Sequence, residues 1–488
     1  MKDNLEKRSV TSVKWNSISN VFHIILAFVK SIILARLLPI ETFGIYSGAY
    51  SIIVITGSFL SFGMNAAFTY RCEETEDLER TSRIHFTIQL ILNFVWTGLM
   101  LLGGFVFGRN AEPGFLSAFV VLTLANSVAT FANTPRYILS RLVRYKRIAL
   151  MNLVDFSLTF IIGVGLAFWG KPLAALLAAN VVTAFVNIFF MYIWRPVWKP
   201  KFMWDTDTVK YFIQFGSKQM VSRWLMDALD RVDELWTKAY LGTTALGFYS
   251  KAYNFAQYPS QVLANPVSTV AVSTYAEISN DRKRLSNAFY ITNSFLILTG
   301  FFFVGVLTLV APEFIRILLG ERWMPMLMSF RLMLPFTLFD PMKKTMSNLF
   351  IAVGKPGVMI KIRAIQLAIM VAGLFVLGNR FDIEGVALAV DVMMLVGVVL
   401  ILREAKKYVD LSIRSLFGIP TLALAAGLIF GYAVDLLYTG TISDFLSGSI
   451  KFLGFSIIYF GLIFLFKKES LLFVWSMVKK YIFKNFLD

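Results

Sequence analysis

GIYSGAY at Gly44–Tyr50 returns as GFYSKAY at Gly247–Tyr253, with five of the seven residues identical. Each copy opens a long apolar segment, and each follows an apolar stretch that ends in a leucine-containing turn, LARLLPIETF before the first and TKAYLGTTAL before the second. A duplicated membrane bundle is the architecture this repeat predicts. Secondary transporters are commonly built from such repeats, with the substrate held between them near mid-bilayer.

Composition points the same way. The chain is 57% hydrophobic and 16% charged, with a mean hydropathy of +0.67, where an ordinary soluble domain carries about 25% charged residues. Stretches of about 20 apolar residues predict an all-α integral membrane protein of about fourteen spans, near 15–37, 43–70, 84–107, 115–135, 148–169, 172–194, 209–237, 243–276, 287–311, 323–353, 358–378, 384–402, 415–436 and 445–466. The first stretch is too long for a cleavable signal and lacks a small-residue cleavage site, so it reads as the first span.

Of the 47 lysines and arginines, 31 fall in alternate loops counted from the N-terminus and seven in the intervening ones. Cytoplasmic loops carry the positive excess, so both termini are expected in the cytoplasm of a multi-pass protein of the inner (cytoplasmic) membrane. The net charge of +17 is then mostly topology, and no nucleic-acid partner is implied.

Several function classes drop out. One cysteine, Cys72, and two histidines, His23 and His85, form no metal-ligand spacing. No phosphate-binding glycine loop and no nucleophile elbow occurs. The outward loops are short, the longest near 313–322. The expectation is a protein that is not an enzyme and has no cofactor, no metal and no catalytic residues.

Extending the repeat backwards pairs Lys30 in span one with Asp233 in span seven. Spans one and seven differ by six, an even number, so the two repeats run in the same direction through the membrane. The predicted organisation is an N-lobe over 1–200 (spans one to six), a C-lobe over 201–410 (spans seven to twelve) and an appended helix pair with a basic cytoplasmic tail over 411–488. The two six-helix lobes are expected to enclose a central cavity.

Charge inside spans marks function, because such residues face protein or water rather than lipid. In span seven, Arg223, Asp227, Asp230 and Glu234 follow at steps of four, three and four, along one helix face; Arg231 and Asp233 flank them. That stripe either looks into a cavity or is closed by ion pairs, Arg223 with Asp227 and Asp227 with Arg231. Span one carries Asn20, His23 and Lys30, and only Lys30 is deep. Span eight carries Lys251, close enough to the outer surface to snorkel. Span ten holds Arg331, Asp340, Lys343 and Lys344 with Pro335 and Pro341, a pattern for a bent helix in which Asp340 and Lys344 could also neutralise each other. Asp391 in span twelve is a candidate proton site, and Asp155 in span five is expected to be solvated near the cytoplasmic end. The cations Lys30, Arg223, Arg231, Lys251, Arg331 and Lys343 would suit a phosphate or pyrophosphate. Asp227, Asp230, Asp233, Glu234, Asp340 and Asp391 are the coupling candidates.

FVKSIILARLLPIETFGIYSGAYSI (28–52), SFGMNAAFTYR (61–71) and the stretch from Leu229 to Leu285 resemble the Wzx-type polysaccharide flippases of the multidrug/oligosaccharidyl-lipid/polysaccharide exporter superfamily. The resemblance implies alternating-access flipping of an undecaprenyl-pyrophosphate-linked oligosaccharide from the cytoplasmic to the outer leaflet, for surface polysaccharide biosynthesis, with coupling to proton motive force or membrane potential. Implied partners are that lipid-linked oligosaccharide, membrane lipids and the polysaccharide polymerase machinery. Lys30 ahead of Ala35 and Arg36 matches the span-one cation of the related lipid II flippases. Their second-span arginine has no counterpart, since Gly57 and Ser58 stand there. Two alternatives remain: an ion-coupled multidrug exporter of the same superfamily, which calls for an acidic cavity, and a non-transporting scaffold for polysaccharide assembly, which would tolerate loss of the interior charges.

Overall fold

The computed structural model describes residues 2–70, 72–108, 111–438 and 443–479; Arg71, Arg109, Lys480 and Lys484, which enter the loop-charge count above, lie outside them. The described residues are almost entirely helical. A spanning segment has no water to satisfy its backbone, so every N–H and C=O must bond within its own helix.

The chain divides into two compact units, 1–247 and 248–488. The first contains α1 (Lys2–Leu37), α2 (Ile40–Ser61), the short α3 (Met64–Thr69), α4 (Leu78–Phe107), α5 (Phe115–Thr130), α6 (Asn133–Arg141), α7 (Tyr145–Phe168), α8 (Pro172–Ile188) and the first part of α9 (Thr206–Glu277). The second contains the rest of α9, then α10 (Arg282–Phe314), α11 (Leu327–Met333), α12 (Pro335–Ala352), α13 (Gly357–Gly373), α14 (Asn379–Ala405), α15 (Ile413–Tyr438) and α16 (Asp444–Lys479). Local chemistry sets the ends. Asp77 caps α4 by accepting from the backbone N–H of Glu79 and Arg80 at 3.0 and 3.1 Å, and Pro172 opens α8, where its missing N–H costs nothing. Within α9 the helical path breaks at Gly242, whose φ of 88° and ψ of 179° only glycine adopts readily.

Each of the fourteen expected spans overlaps a helix, but the count is not reached by length and composition. Among the described residues, nine stretches are long and apolar enough to cross a membrane, or ten if α5 and α6, bent by 41°, form one span. The shortfall is physical. The first arm of α9 and the 18-residue α12, with Asp340, Lys343 and Lys344, carry too much charge, and the second arm of α9 is rich in uncharged polar residues such as Asn254, Gln257 and Gln261. The continuous apolar stretch 357–405 holds two expected spans and turns at Phe381 and Asp382.

In the first unit, α2 lies antiparallel along the first arm of α9, close enough for glycine only. A Cβ at Gly44 would overlap the Thr243 carbonyl, one at Gly48 the Lys238 side chain, and one at Gly63 the Gly216 carbonyl. In the second unit the appended helices pack on α10: Phe455 of α16 fills the space that Gly305 and Gly427 leave open, and Leu309 sits over Gly431. Small residues that admit close approach are the usual means of helix association in a membrane.

Candidate functional site

The antiparallel contact of α2 with α9 carries the densest buried charge of the first unit. Ser51 and Ser58 lie seven residues apart on α2, and Asp227 and Glu234 lie seven apart on α9. Two turns of each helix therefore put both pairs in register. Ser58 donates to Asp227 and Ser51 to Glu234. Both carboxylates are buried, and so is Asp233, which accepts from the Glu234 backbone N–H at 2.9 Å. Each bonded carboxylate also has its own arginine: Arg223 reaches Asp227 at 3.0 Å and Arg231 reaches Glu234 at 2.9 Å. The Arg231 guanidinium lies 5.2 Å from the Tyr50 ring centre.

The expected stripe is thus divided. Asp227 and Glu234 turn into the α2 contact, while Asp230 and the Arg223 side chain remain exposed. The ion pair Arg223–Asp227 is present as the spacing allows. Arg231, however, pairs with Glu234 three residues on rather than with Asp227, whose remaining bond goes to Ser58. At Ser58 a neutral hydroxyl donor thus stands against a buried carboxylate.

At the end of the same contact, Glu112 from the turn before α5 accepts from the Thr243 hydroxyl and faces Lys238 at 3.4 Å. Lys238 also donates to Thr243 at 3.1 Å and covers the Phe115 ring at 4.5 Å. The Thr243 bond first, with Lys238 adding, holds the Glu112 carboxyl below the usual carboxylate range against a desolvation cost. Thr244 donates to Glu41 at 3.3 Å.

Lys30 lies apart from this cluster. It extends from α1 toward α7, where Gly163 leaves it room: a Cβ there would stand 3.0 Å from Lys30 Cε and 3.2 Å from Nζ. No hydrogen-bond or ion-pair partner falls to Lys30 among the described residues. Asp155 on α7 is within electrostatic reach of it. Instead of being fully solvated, Asp155 is half-buried and accepts from the Thr183 hydroxyl at 2.9 and 3.0 Å. His23 stacks on Phe156, with ring centres 4.0 Å apart.

In the second unit, Lys251 is buried rather than snorkelling, with its ammonium 5.8 Å from the Phe255 ring centre. Asp340 takes a hydrogen bond from Ser260 at 2.8 Å and an ion pair from Lys344 at 2.7 Å, the self-neutralising arrangement that their spacing permits. Arg331 donates to the Thr308 carbonyl at 3.0 Å. Lys343 lies beside Lys344 on α12, and Asp391 is half-buried on α14. The structure also shows a charged cluster that the sequence does not signal. Lys451 of α16, 1% exposed, bonds Glu313 of α10 at 2.6 Å and also Asp435 of α15, and Ser447 donates to Glu313 at 2.7 Å. Among the described residues, no group of three or more His, Cys, Asp or Glu side chains could hold a metal.

Among solved structures, the chain is similar to one titled "Lipid II flippase MurJ, inward closed conformation", at 17% identity and a TM-score of 0.73 over 93% of this chain and 99% of that one. It is also similar to an inward-facing multidrug resistance MATE family transporter of the MOP superfamily, at 15% identity and a TM-score of 0.62 over 81% and 98%. These likenesses show the fold: an all-α architecture shared with those two structures. By sequence, the lipopolysaccharide biosynthesis protein WzxC of Escherichia coli is 22% identical over 81% of this chain and 80% of its own. The succinoglycan biosynthesis transport protein ExoT of Rhizobium meliloti is 25% identical over 66% and 65%. A family model described as "Polysaccharide biosynthesis protein" matches residues 33–328, well over half of the chain, and the chain belongs to that family.

Proposed function

We propose that this protein flips an undecaprenyl-pyrophosphate-linked oligosaccharide from the cytoplasmic to the outer leaflet of the inner membrane by alternating access, with both termini in the cytoplasm. Membership of the polysaccharide biosynthesis family and the names of the relatives support the substrate class. The observation that carries the reading is Lys30, half-buried in a membrane span beside a glycine gap and without an ion-pair partner among the described residues. A cation in that position is costly unless something anionic visits it. A diphosphate would form charge-assisted hydrogen bonds with the ammonium, while the polyprenyl chain stays in lipid. Carrying the charged head group through hydrocarbon without protein would be prohibitive.

Arg223 and Arg231, each already paired, take a second role in this reading. They can exchange a carboxylate for a phosphate when the substrate arrives, leaving Asp227 and Glu234 with their serine donors. Asp227, Asp230, Asp233 and Glu234 are then the coupling carboxylates. Lys251, Arg331 and Lys343 are proposed as further head-group contacts, and Asp340 and Asp391 as further coupling groups.

The test is flipping of a fluorescent undecaprenyl-pyrophosphate oligosaccharide in proteoliposomes. Lys30→Ala should lose at least tenfold in rate while inserting and melting like the parent, and Lys30→Arg should recover part of it. Undiminished flipping by Lys30→Ala would remove the cation from the mechanism.

A further inference from the structure

The chain is basic and aromatic where α7 begins and α8 ends. The apolar stretch of α7, Tyr145–Phe168, starts there and that of α8, Pro172–Ile193, stops there, and α8 finishes in a π-turn over Phe189–Ile193. Arg147 closes that turn. Its Nη2 donates to the Trp194 carbonyl at 2.9 Å and also to the carbonyls of Phe190 and Arg195, groups that a helix terminus otherwise leaves open. The Trp194 indole carries two guanidiniums, that of Arg147 5.7 Å and that of Arg195 5.3 Å from its ring centre. Trp194, Arg195 and Arg144, the residue before α7, are exposed.

Charge is unbalanced around this indole. Arg144 and Arg195 lie within electrostatic reach of Arg147, and among the described residues no acidic side chain pairs with any of the three. The far end of the linker from α8 to α9 differs: Arg80 pairs with Asp205 at 2.9 Å, and Lys201 approaches Glu79 at 3.9 Å. Leading to the indole along α8, Phe185, Phe189 and Ile193 recur at four-residue steps, on one face, and are 69, 45 and 66% exposed. On a spanning helix such a stripe meets lipid tails. A tryptophan at the membrane boundary, unpaired cations beside it and an apolar stripe leading away from it match the interfacial, phosphate and acyl parts of a phospholipid.

We propose that the arginines around Trp194 form a binding site for an anionic phospholipid of the cytoplasmic leaflet. Arg195 and Arg144, both exposed, contact the phosphate, which arginine suits by its planar fork of donors. Arg147 holds the turn and adds its charge, and the acyl chains lie along Phe185, Phe189 and Ile193. The leaflet follows from the orientation proposed above; the site itself does not depend on what is transported. It is separate from Lys30. Gly163, which faces Lys30, stands sixteen residues along α7 from Arg147, about 24 Å at 1.5 Å per residue, so one diphosphate cannot occupy both. A resident lipid there fixes the depth at which the α7–α8 hairpin sits in the membrane.

The test is native mass spectrometry of the full chain released from detergent, titrated with phosphatidylglycerol and, separately, with phosphatidylcholine of the same acyl chains. A cation near the membrane surface is worth about fivefold in affinity for anionic lipid. The parent should therefore prefer phosphatidylglycerol by about tenfold in its first lipid adduct, and Arg144→Gln with Arg195→Gln should bring that preference within about twofold. Neither side chain is hydrogen-bonded within the chain, so the double variant keeps its fold. Arg80→Gln with Lys201→Gln, which removes cations that already have acids, should leave the preference as in the parent. An unchanged preference in the first double variant would overturn the site, and so would an equal fall in the second, which would make net charge the cause. Displacement of phosphatidylglycerol by equimolar undecaprenyl phosphate would hand the cluster to a polyprenyl ligand, and displacement by inorganic phosphate would reduce it to a plain anion site; either result overturns the phospholipid assignment. No readout here involves flipping, so a failure of the transport reading leaves this one standing.

Discussion

At the scale of single residues, the chain holds its interior charge in small closed groups. Lys451 shows what such a group is worth. Its ammonium is 1% exposed, and its partner Glu313 has one carboxylate oxygen buried without a hydrogen-bond partner. Removing one member of a buried ion pair costs about 3–5 kcal/mol, because the other charge is left in low dielectric. Lys451→Met should lower unfolding stability in detergent by about that amount, and adding Glu313→Gln should restore a large part of it. Additive losses in the double variant would show that the two residues do not act on each other. The residue scale is also where the sequence is least legible. Arg223–Asp227 and Asp340–Lys344 can be read from their four-residue spacing, because one helix fixes the distance. Glu313 and Lys451 stand 138 positions apart, and no local rule connects them. Ser51 and Ser58 are unremarkable serines in an apolar span until α9 brings two carboxylates opposite them.

At the scale of elements, the two helices joined at Gly242 depend on a pin. Glu112, Thr243 and Lys238 tie the turn before α5 to the break in α9. The Glu112 carboxyl is held below its ordinary value of 4.5, so its bonded, ionised form adds stability that is fully present above that value and is lost as pH falls through the lowered one. Thr243→Val should therefore be less stable than the parent at pH 7, with the difference closing as pH drops below about 4.5. A gap between the melting curves of parent and variant that stays constant down to pH 3 would dismiss the pin. The helices themselves were legible because long apolar runs admit no other backbone arrangement in a bilayer. The number of crossings was not, because the first arm of α9 and α12 contain too much charge to register as spans, the second arm of α9 too many uncharged polar residues, and the turn at Phe381 and Asp382 lies within one uninterrupted apolar stretch.

At the scale of the whole chain, the repeated heptapeptide marks equivalent positions, and the structure shows what those positions touch. Gly44 abuts the Thr243 backbone, and Gly247 abuts the Ile40 backbone. With Gly44 equivalent to Gly247, Ile40 is equivalent to Thr243, so the two contacts are one contact made twice. Glu41 and Thr244, which bond each other, are likewise equivalent. Valine at Gly44 or at Gly247 should be similarly destabilising, at the upper end of the roughly 1–3 kcal/mol typical of overpacking, since backbone rather than a side-chain tip must yield. A large loss from one and none from the other, in thermal unfolding of the purified protein, would break the equivalence. Reciprocal contacts, in which position i of one copy meets j of the other and j meets i, are the signature of a two-fold symmetric dimer. Two copies of a single sequence related by a two-fold axis would make both contacts through one glycine, and the bonded pair Glu41 and Thr244 shows how far the surroundings of the two glycines differ.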